Sequence, residues 1–151
     1  MGGGGLVGYT DADWANNTSN HQSVSGYAFL YSGGAVSWML KQQSTVATSS
    51  THAECITAAE AAKELVWLRQ LLFELHEGTK APTILYIDNR ATDLLARNPI
   101  NHAMTKHIDV CYHYIQQCII EGAINLRLIR TNDMVANVLM KCYVLGMETM
   151  E

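Results

Sequence analysis

Three acids in this chain stand where a strand ends or a helix begins. Asp11 closes the apolar, β-prone run Leu6-Val7-Gly8-Tyr9-Thr10, and Asp88 closes a second run, Thr83-Ile84-Leu85-Tyr86-Ile87. Glu54 lies in Ser49-Ser50-Thr51-His52-Ala53-Glu54, at the head of an Ala-, Leu- and Glu-rich stretch that continues to about Leu75. If the two strands are parallel neighbours and the helix packs across them, the three carboxylates converge at one end of a sheet. Such a group repels itself and is costly unless a cation compensates. Oxygen ligands without nearby Cys or His suit a hard ion, Mg²⁺ or Mn²⁺. Two such ions can activate a water and stabilise the leaving oxygen in an in-line attack on a phosphodiester.

Each acid also has a plainer role open to it. Thr51-His52-Ala53-Glu54 has the form of a capping box, in which Glu54 reaches back to the cap's own N–H. Asp88-Asn89 is a turn dipeptide, and Asp13 competes with Asp11. The helical wheel raises the question for Glu54 and leaves both roles open. At ~100° per residue it shares a stripe with Ala58, Ala61, Leu65, Leu68 and Leu72, while His52, Lys63, Gln70 and Glu74 fall on the opposite side. A carboxylate aimed at a helix's own buried face needs a reason.

The elements that must position these acids follow from pattern. After the first run, Asn16 to Asn20 reads as a loop. Val24 to Tyr31 and Ala35 to Leu40 read as strands joined by Ser32-Gly33-Gly34, with Val36, Trp38 and Leu40 on one face. Beyond the long helix, Thr83–Ile87 is a continuous apolar strand, buried on both faces and entered by a crossover. Helices are expected over Arg90 to Ala96, His102 to Ile120 and Asp133 to Lys141, with a strand from Ala123 to Ile129. The result is an α/β fold: three antiparallel strands, then two parallel ones, in a mixed five-stranded sheet with helices packed on both faces.

Composition narrows the function classes. At 151 residues and 48% hydrophobic, the chain suits one globular domain over 6–141. Residues 1–5 read as a glycine linker or expression scar, and 142–151 as a frayed tail. No run spans a bilayer and no signal peptide is expected, so the protein is expected to be intracellular. A net charge of −4 argues against strong free-standing affinity for nucleic acid. Cys55, Cys111, Cys118 and Cys142 have no Cys-x-x-Cys spacing and are expected to be free thiols.

Gly8-Tyr9-Thr10-Asp11-Ala12-Asp13-Trp14-Ala15, Ser25-Gly26-Tyr27, Ser37-Trp38 with Lys41-Gln42-Gln43, and Ser49 through Glu54 together resemble the ribonuclease H domain of copia-type LTR retrotransposon Pol polyproteins. Trp67-Leu68, Asp88-Asn89, Asn98-Pro99, Thr105-Lys106-His107-Ile108-Asp109 and Ala136 to Lys141 continue the likeness in order, from about Leu6 to Lys141. The resemblance implies a ribonuclease H-like fold and Mg²⁺-dependent cleavage of the RNA strand of an RNA–DNA hybrid, with Mn²⁺ as a substitute. It implies as partners the hybrid and the reverse transcriptase domain of the same polyprotein, in a cytoplasmic particle or the nucleus. Asp11, Glu54 and Asp88 match the family's first three metal-binding acids.

Two positions depart from the family pattern. His52 stands where the family has a Glu, and the wheel places it on the helix surface. Asn137 stands at the fourth acid, in an Ala-Asp-x-Leu-x-Lys pattern, and offers a neutral carbonyl oxygen where the family has a carboxylate. Weakened metal binding and a reduced or absent rate are therefore expected at the set Asp11, Glu54, Asp88 and Asn137, and a non-catalytic module of the same fold is the alternative. Lys41, Arg90 and Lys106 are candidates for holding substrate phosphates, against the plainer reading of solvated charge. His102, His107, Cys111 and His113 resemble a zinc set, but the helix must also bury Ile108 and Tyr112. Trp14, Trp38 and Trp67 are expected in the core. An integrase or transposase would need an acid in the last helix, and fits poorly.

Overall fold

A computed structural model describes residues 4–14, 20–97 and 106–137. Strands β1 (Leu6–Asp13), β2 (Val24–Tyr31) and β3 (Gly34–Gln42) are followed by helix α1 (Ser50–Glu74), strand β4 (Thr83–Ile87), helices α2 (Arg90–Arg97) and α3 (Lys106–Ile120), and strand β5 (Ile124–Leu128). A short 3-10 turn, Thr131–Asp133, comes last, and Ala136-Asn137 begins a helical turn. The remainder of the expected terminal helix, the start expected at His102 and the Asn98-Pro99 stop lie outside the described residues.

The sheet order is β3-β2-β1-β4-β5. β1 pairs antiparallel with β2, and β2 with β3; β1–β4 and β4–β5 are parallel. The mixed five-stranded sheet expected from the pattern is thus observed. β1 is longer than expected. It runs through Asp11 to Asp13, because Asp11, Ala12 and Asp13 still pair with Gly26, Ser25 and Val24 of β2.

Alternation divides the sheet's side chains. Tyr27 and Phe29 of β2, Leu85 and Ile87 of β4, and Ile124 and Leu126 of β5 join Ala58, Ala61, Leu65 and Leu68 of α1, Ala96 of α2 and Ile115 of α3 in one core cluster. Small residues on α1 let that helix lie close on the strands. On the other side Tyr9 and Tyr86 stack with ring centroids 5.1 Å apart. Trp38 lies in the same row, through Ala28, and is 63% exposed. Trp14 and Trp67 are 48% and 57% exposed. The core expectation for all three tryptophans is therefore wrong. Trp67 sits on the face of α1 away from the sheet, and Trp38 is on an edge strand.

The close fit of α1 depends on a missing side chain at Gly8. A Cβ there would stand 2.6 Å from Phe29 Cε1 and 2.8 Å from Leu85 Cδ1. Both neighbours are fully buried and have little room to yield. Gly8→Ala should therefore lower folding stability by about 1–3 kcal/mol. Urea unfolding followed by helical circular dichroism measures this, and an unchanged midpoint would mean that the core has slack the packing does not reveal.

Candidate metal centre

The register places the first two acids. Tyr9 pairs with Tyr86 across the parallel β1–β4 ladder, so two residues further along each strand Asp11 and Asp88 reach the same level. The third acid arrives from α1. Ser49 is its N-cap, with the side-chain oxygen accepting from His52 N–H at 3.1 Å. That leaves Thr51 inside the helix and frees Glu54 from the capping-box role. Its Oε1 accepts instead from the Ala12 N–H at 3.2 Å, past the last β1–β4 pair. The same N–H is shared with Asp11 Oδ1 at 2.9 Å.

The first turn of α1 is fixed by buried polar contacts. Gln43 Nε2 donates to the Ala53 carbonyl at 3.0 Å and to Ser25 Oγ at 2.9 Å, and the Ser25 and Thr57 hydroxyls are 2.8 Å apart. Gln43, Ser25 and Thr57 are all buried, so β2, the end of β3 and α1 are joined where Glu54 needs to be held. His52 is buried as well, its Nδ1 accepting from the Thr48 N–H at 3.1 Å. The surface position expected from the wheel is wrong, because the incoming loop at Thr48 folds over that side of the first turn.

One oxygen from each of Asp11, Glu54 and Asp88 lies within 4.8 Å of the others. Asp11 is 8% exposed and Glu54 6%. Burial, then the charge of Asp88, pushes the Asp11 carboxyl up to about 6. Burial, then the charges of Asp11 and Asp88, holds Glu54 well above the usual carboxylate range, and burial raises Asp88. Glu54 Oε2 is buried without a donor. When the carboxylates are ionised, that oxygen needs a cation or another donor; otherwise Glu54 keeps a proton and shares it with Asp11. A hard divalent ion fits this donor set.

Comparison with known proteins places this geometry. The chain is 43% identical over 136 residues to the retrovirus-related Pol polyprotein from transposon TNT 1-94 of Nicotiana tabacum, over 90% of this chain and 10% of that protein. It is 37% identical, over 90% of this chain and 9% of the relative, to the corresponding polyprotein from transposon RE2 of Arabidopsis thaliana. This chain is a homologue of one segment of the retrovirus-related Pol polyproteins of plant transposons. It spans about a tenth of the length of these curated relatives. No protein-family model matches it.

Solved structures give this chain its fold. The N-terminal RNase H domain of a Mycobacterium tuberculosis protein superposes with a TM-score of 0.64 at 12% identity, covering 95% of this chain and 98% of that one. RNase H1 from Halobacterium salinarum gives 0.62 at 10% identity, over 85% and 88%. LC11-RNase H1, solved in complex with an RNA/DNA hybrid, gives 0.59 at 10% identity, over 86% and 88%. The chain has a ribonuclease H-like fold.

The other sequence candidates are scattered. Asn137 Nδ2 donates to the Thr131 carbonyl, and the Thr131 hydroxyl donates to Asp88 Oδ2 at 3.2 Å. Asn137 is thus linked to Asp88 through a single residue. Lys41 pairs with Glu60 at 2.9 Å, while Arg90 and Lys106 are exposed at the starts of α2 and α3. Asn89, after Asp88, caps α2 by accepting from the Thr92 N–H at 2.9 Å, so the turn reading holds for Asn89 beside an acid turned to the cluster. In the zinc set, Cys111 is buried and His113 exposed, while His102 and the His107 side chain lie outside the described residues. Among the described residues, Asp11, Glu54 and Asp88 are the only group of three or more potential ligands. Gln43, Ser25, Thr57 and Thr131 were given no role in advance. Gln43 closes the Lys41-Gln42-Gln43 run, and nothing in the sequence marks its amide as buried.

The raised acids fix the sign of the pH dependence. A carboxyl with a raised folded pKa binds its proton more tightly in the folded than in the unfolded chain. Its contribution is therefore present below the unfolded value, near 4, and is lost as pH rises through the folded one. For Asp11 that window runs up to about 6. In chelator, the melting temperature should fall as pH rises from about 4 to about 6. At pH 7, Mg²⁺ or Mn²⁺ should raise it again, with proton release. Glu54→Gln should raise the chelator value at pH 7 and blunt the rise with metal. A melting temperature indifferent to pH and to metal would dissolve the cluster as a cation site.

Proposed function

We propose that this Pol segment is a divalent-metal ribonuclease H that cuts the RNA strand of RNA–DNA hybrids, with a rate weakened by Asn137. The observation that carries this reading is the convergence of Asp11, Glu54 and Asp88 within 4.8 Å, with a buried Glu54 oxygen left without a donor. The fold and the Pol homology support it, as does a neighbour solved with an RNA/DNA hybrid. Mg²⁺, with Mn²⁺ as substitute, is the ion proposed, and copia-type elements are the proposed source.

Asp11, Glu54, Asp88 and the Asn137 carbonyl oxygen would hold the metal. When bound, it supplies charge compensation for the acids, Lewis-acid activation of the attacking water and stabilisation of the leaving oxygen. The protein's own part is positional. β1 and β4 set Asp11 and Asp88 level, and the Gln43 contacts hold the turn bearing Glu54. Hybrid geometry and 2′-hydroxyls are recognised by shape, without a base code. Lys41, Arg90 and Lys106 are the proposed phosphate contacts. A net charge of −4 makes free-standing binding weak, and a tether to a reverse transcriptase domain would supply local concentration inside the cell.

A second reading, a non-catalytic module, is favoured by one observation. Asn137 commits its Nδ2 to the Thr131 carbonyl and brings no charge to the cluster. One assay separates the two: hydrolysis of a labelled RNA–DNA hybrid in Mg²⁺ and in Mn²⁺. Slow cleavage is expected from the unaltered chain, none from Asp88→Asn, and a rise of about tenfold or more from Asn137→Asp at limiting Mg²⁺. Cleavage at ordinary rates that Asn137→Asp does not improve would remove the impairment. No cleavage by either chain would establish the non-catalytic module.

A further inference from the structure

An exposed tryptophan stands beside the acid cluster. β1 carries Asp11 into the cluster and ends at Asp13, and Trp14 follows at the turn. Three residues of extended chain span at most about 11 Å, so the Trp14 backbone lies no further than that from Asp11. The indole Nε1–H donates to the Ala47 carbonyl at 3.2 Å. Ala47 is buried, and the next two residues, Thr48 and Ser49, make the contacts to His52 that set the first turn of α1. The Trp14 ring is therefore fastened between the segment that delivers Asp11 and the segment that delivers Glu54.

A ring held by its polar edge and left 48% exposed departs from the high average burial of tryptophan. A clamp between two segments gains most by burying the whole side chain. Trp14 turns its N–H to Ala47 and leaves apolar ring surface in water. Trp38 and Trp67 are exposed as well, but Trp38 is on the edge strand β3 and Trp67 is about 20 Å from Glu54 along α1. The net charge of −4 gives the exposed ring a use. With little general attraction for phosphate, affinity for a nucleic acid has to come from neutral contacts. An aromatic face supplies one, with the tolerance of sequence that reading by shape requires.

We propose, resting on the ribonuclease H reading above, that Trp14 is a substrate-binding residue whose exposed ring packs on a sugar face in the minor groove of the RNA–DNA hybrid. Its reach from Asp11 puts the contact within about three nucleotides of the phosphate held at the acids. In an intact hybrid the bases remain paired, so the wide, shallow minor groove with its sugars is the surface open to a flat side chain. The contact is neutral and adds affinity without releasing a counterion. The Ala47 anchor orients the ring before substrate arrives, so little side-chain freedom is lost on binding.

Titrating a labelled RNA–DNA hybrid with the full chain at low salt, with binding read by fluorescence anisotropy, tests this. Ca²⁺ replaces Mg²⁺, since it takes the same oxygen ligands. Trp14→Ala should weaken binding about tenfold or more and leave the slope against salt unchanged. Trp14→Phe keeps a ring and loses the Nε1–H, and should weaken binding less than about threefold. Unweakened binding by Trp14→Ala would overturn the proposal. So would equal losses from the two variants, because the Ala47 anchor would then be the whole role of Trp14. If the unaltered chain binds no hybrid at all, the ribonuclease H reading itself fails and takes this one with it. Should Trp14→Ala fail to fold, a chain carrying Trp38→Phe and Trp67→Phe isolates the Trp14 emission. Saturating hybrid should shield that emission from acrylamide, and unshielded emission would overturn the proposal.

Discussion

The mutual repulsion of three carboxylates is the constraint on which this structure turns. Asp11 and Glu54 are almost wholly withdrawn from water and share a single backbone donor, the Ala12 N–H. One hydrogen bond cannot offset the cost of ionising both acids in so little solvent. Without a cation the cluster must keep protons, and the raised Asp11 and Glu54 carboxyls are the thermodynamic form of that demand. The rest of the fold holds the acids together against it.

That work falls to contacts that carry no charge. The β1–β4 ladder sets two acids by register, which a parallel pairing fixes without reference to their side chains. Glu54 needs more, because the start of a helix is where backbone donors are unsatisfied and fraying begins. The Ser49 cap satisfies one donor there, and the Gln43 amide ties the Ala53 carbonyl to β2 through Ser25. Glu54 is adjacent to Ala53. An amide nitrogen bonded to that neighbouring carbonyl holds a repelled carboxylate in place better than an apolar contact would, since it fixes direction as well as distance.

The strands and their pairing were legible because their signals are local: apolar runs, a glycine turn and a crossover length. So were Asp11, Glu54 and Asp88, since the stripe on α1 and two strand ends suffice to aim them. What was not legible depended on contacts far apart in sequence. Gln43 reaches Ser25 across 18 residues, and nothing in its neighbours announces that. His52 was misplaced by the wheel, which sees a helix but not the loop at Thr48 closing over it. The tryptophans failed for a related reason: residue type sets how much area is to be gained by burial, while topology decides whether a strand is an edge.

Asn137 shows how fold and chemistry come apart. Ribonuclease H domains at 10% and 12% identity share this chain's architecture, so most side chains can change while the sheet and its helices persist. A site has no such tolerance, because its energy comes from a few charges at short range. Replacing a carboxylate by an amide at Asn137 leaves the local backbone with a satisfied partner, the Thr131 carbonyl, and Thr131 still reaches Asp88. Folding therefore exerts little pressure against Asn137, while in the proposed site a bound cation would meet one negative charge fewer. In the proposed site the change would fall on metal affinity and leave the scaffold intact, so a chain could keep this whole architecture with its chemistry reduced.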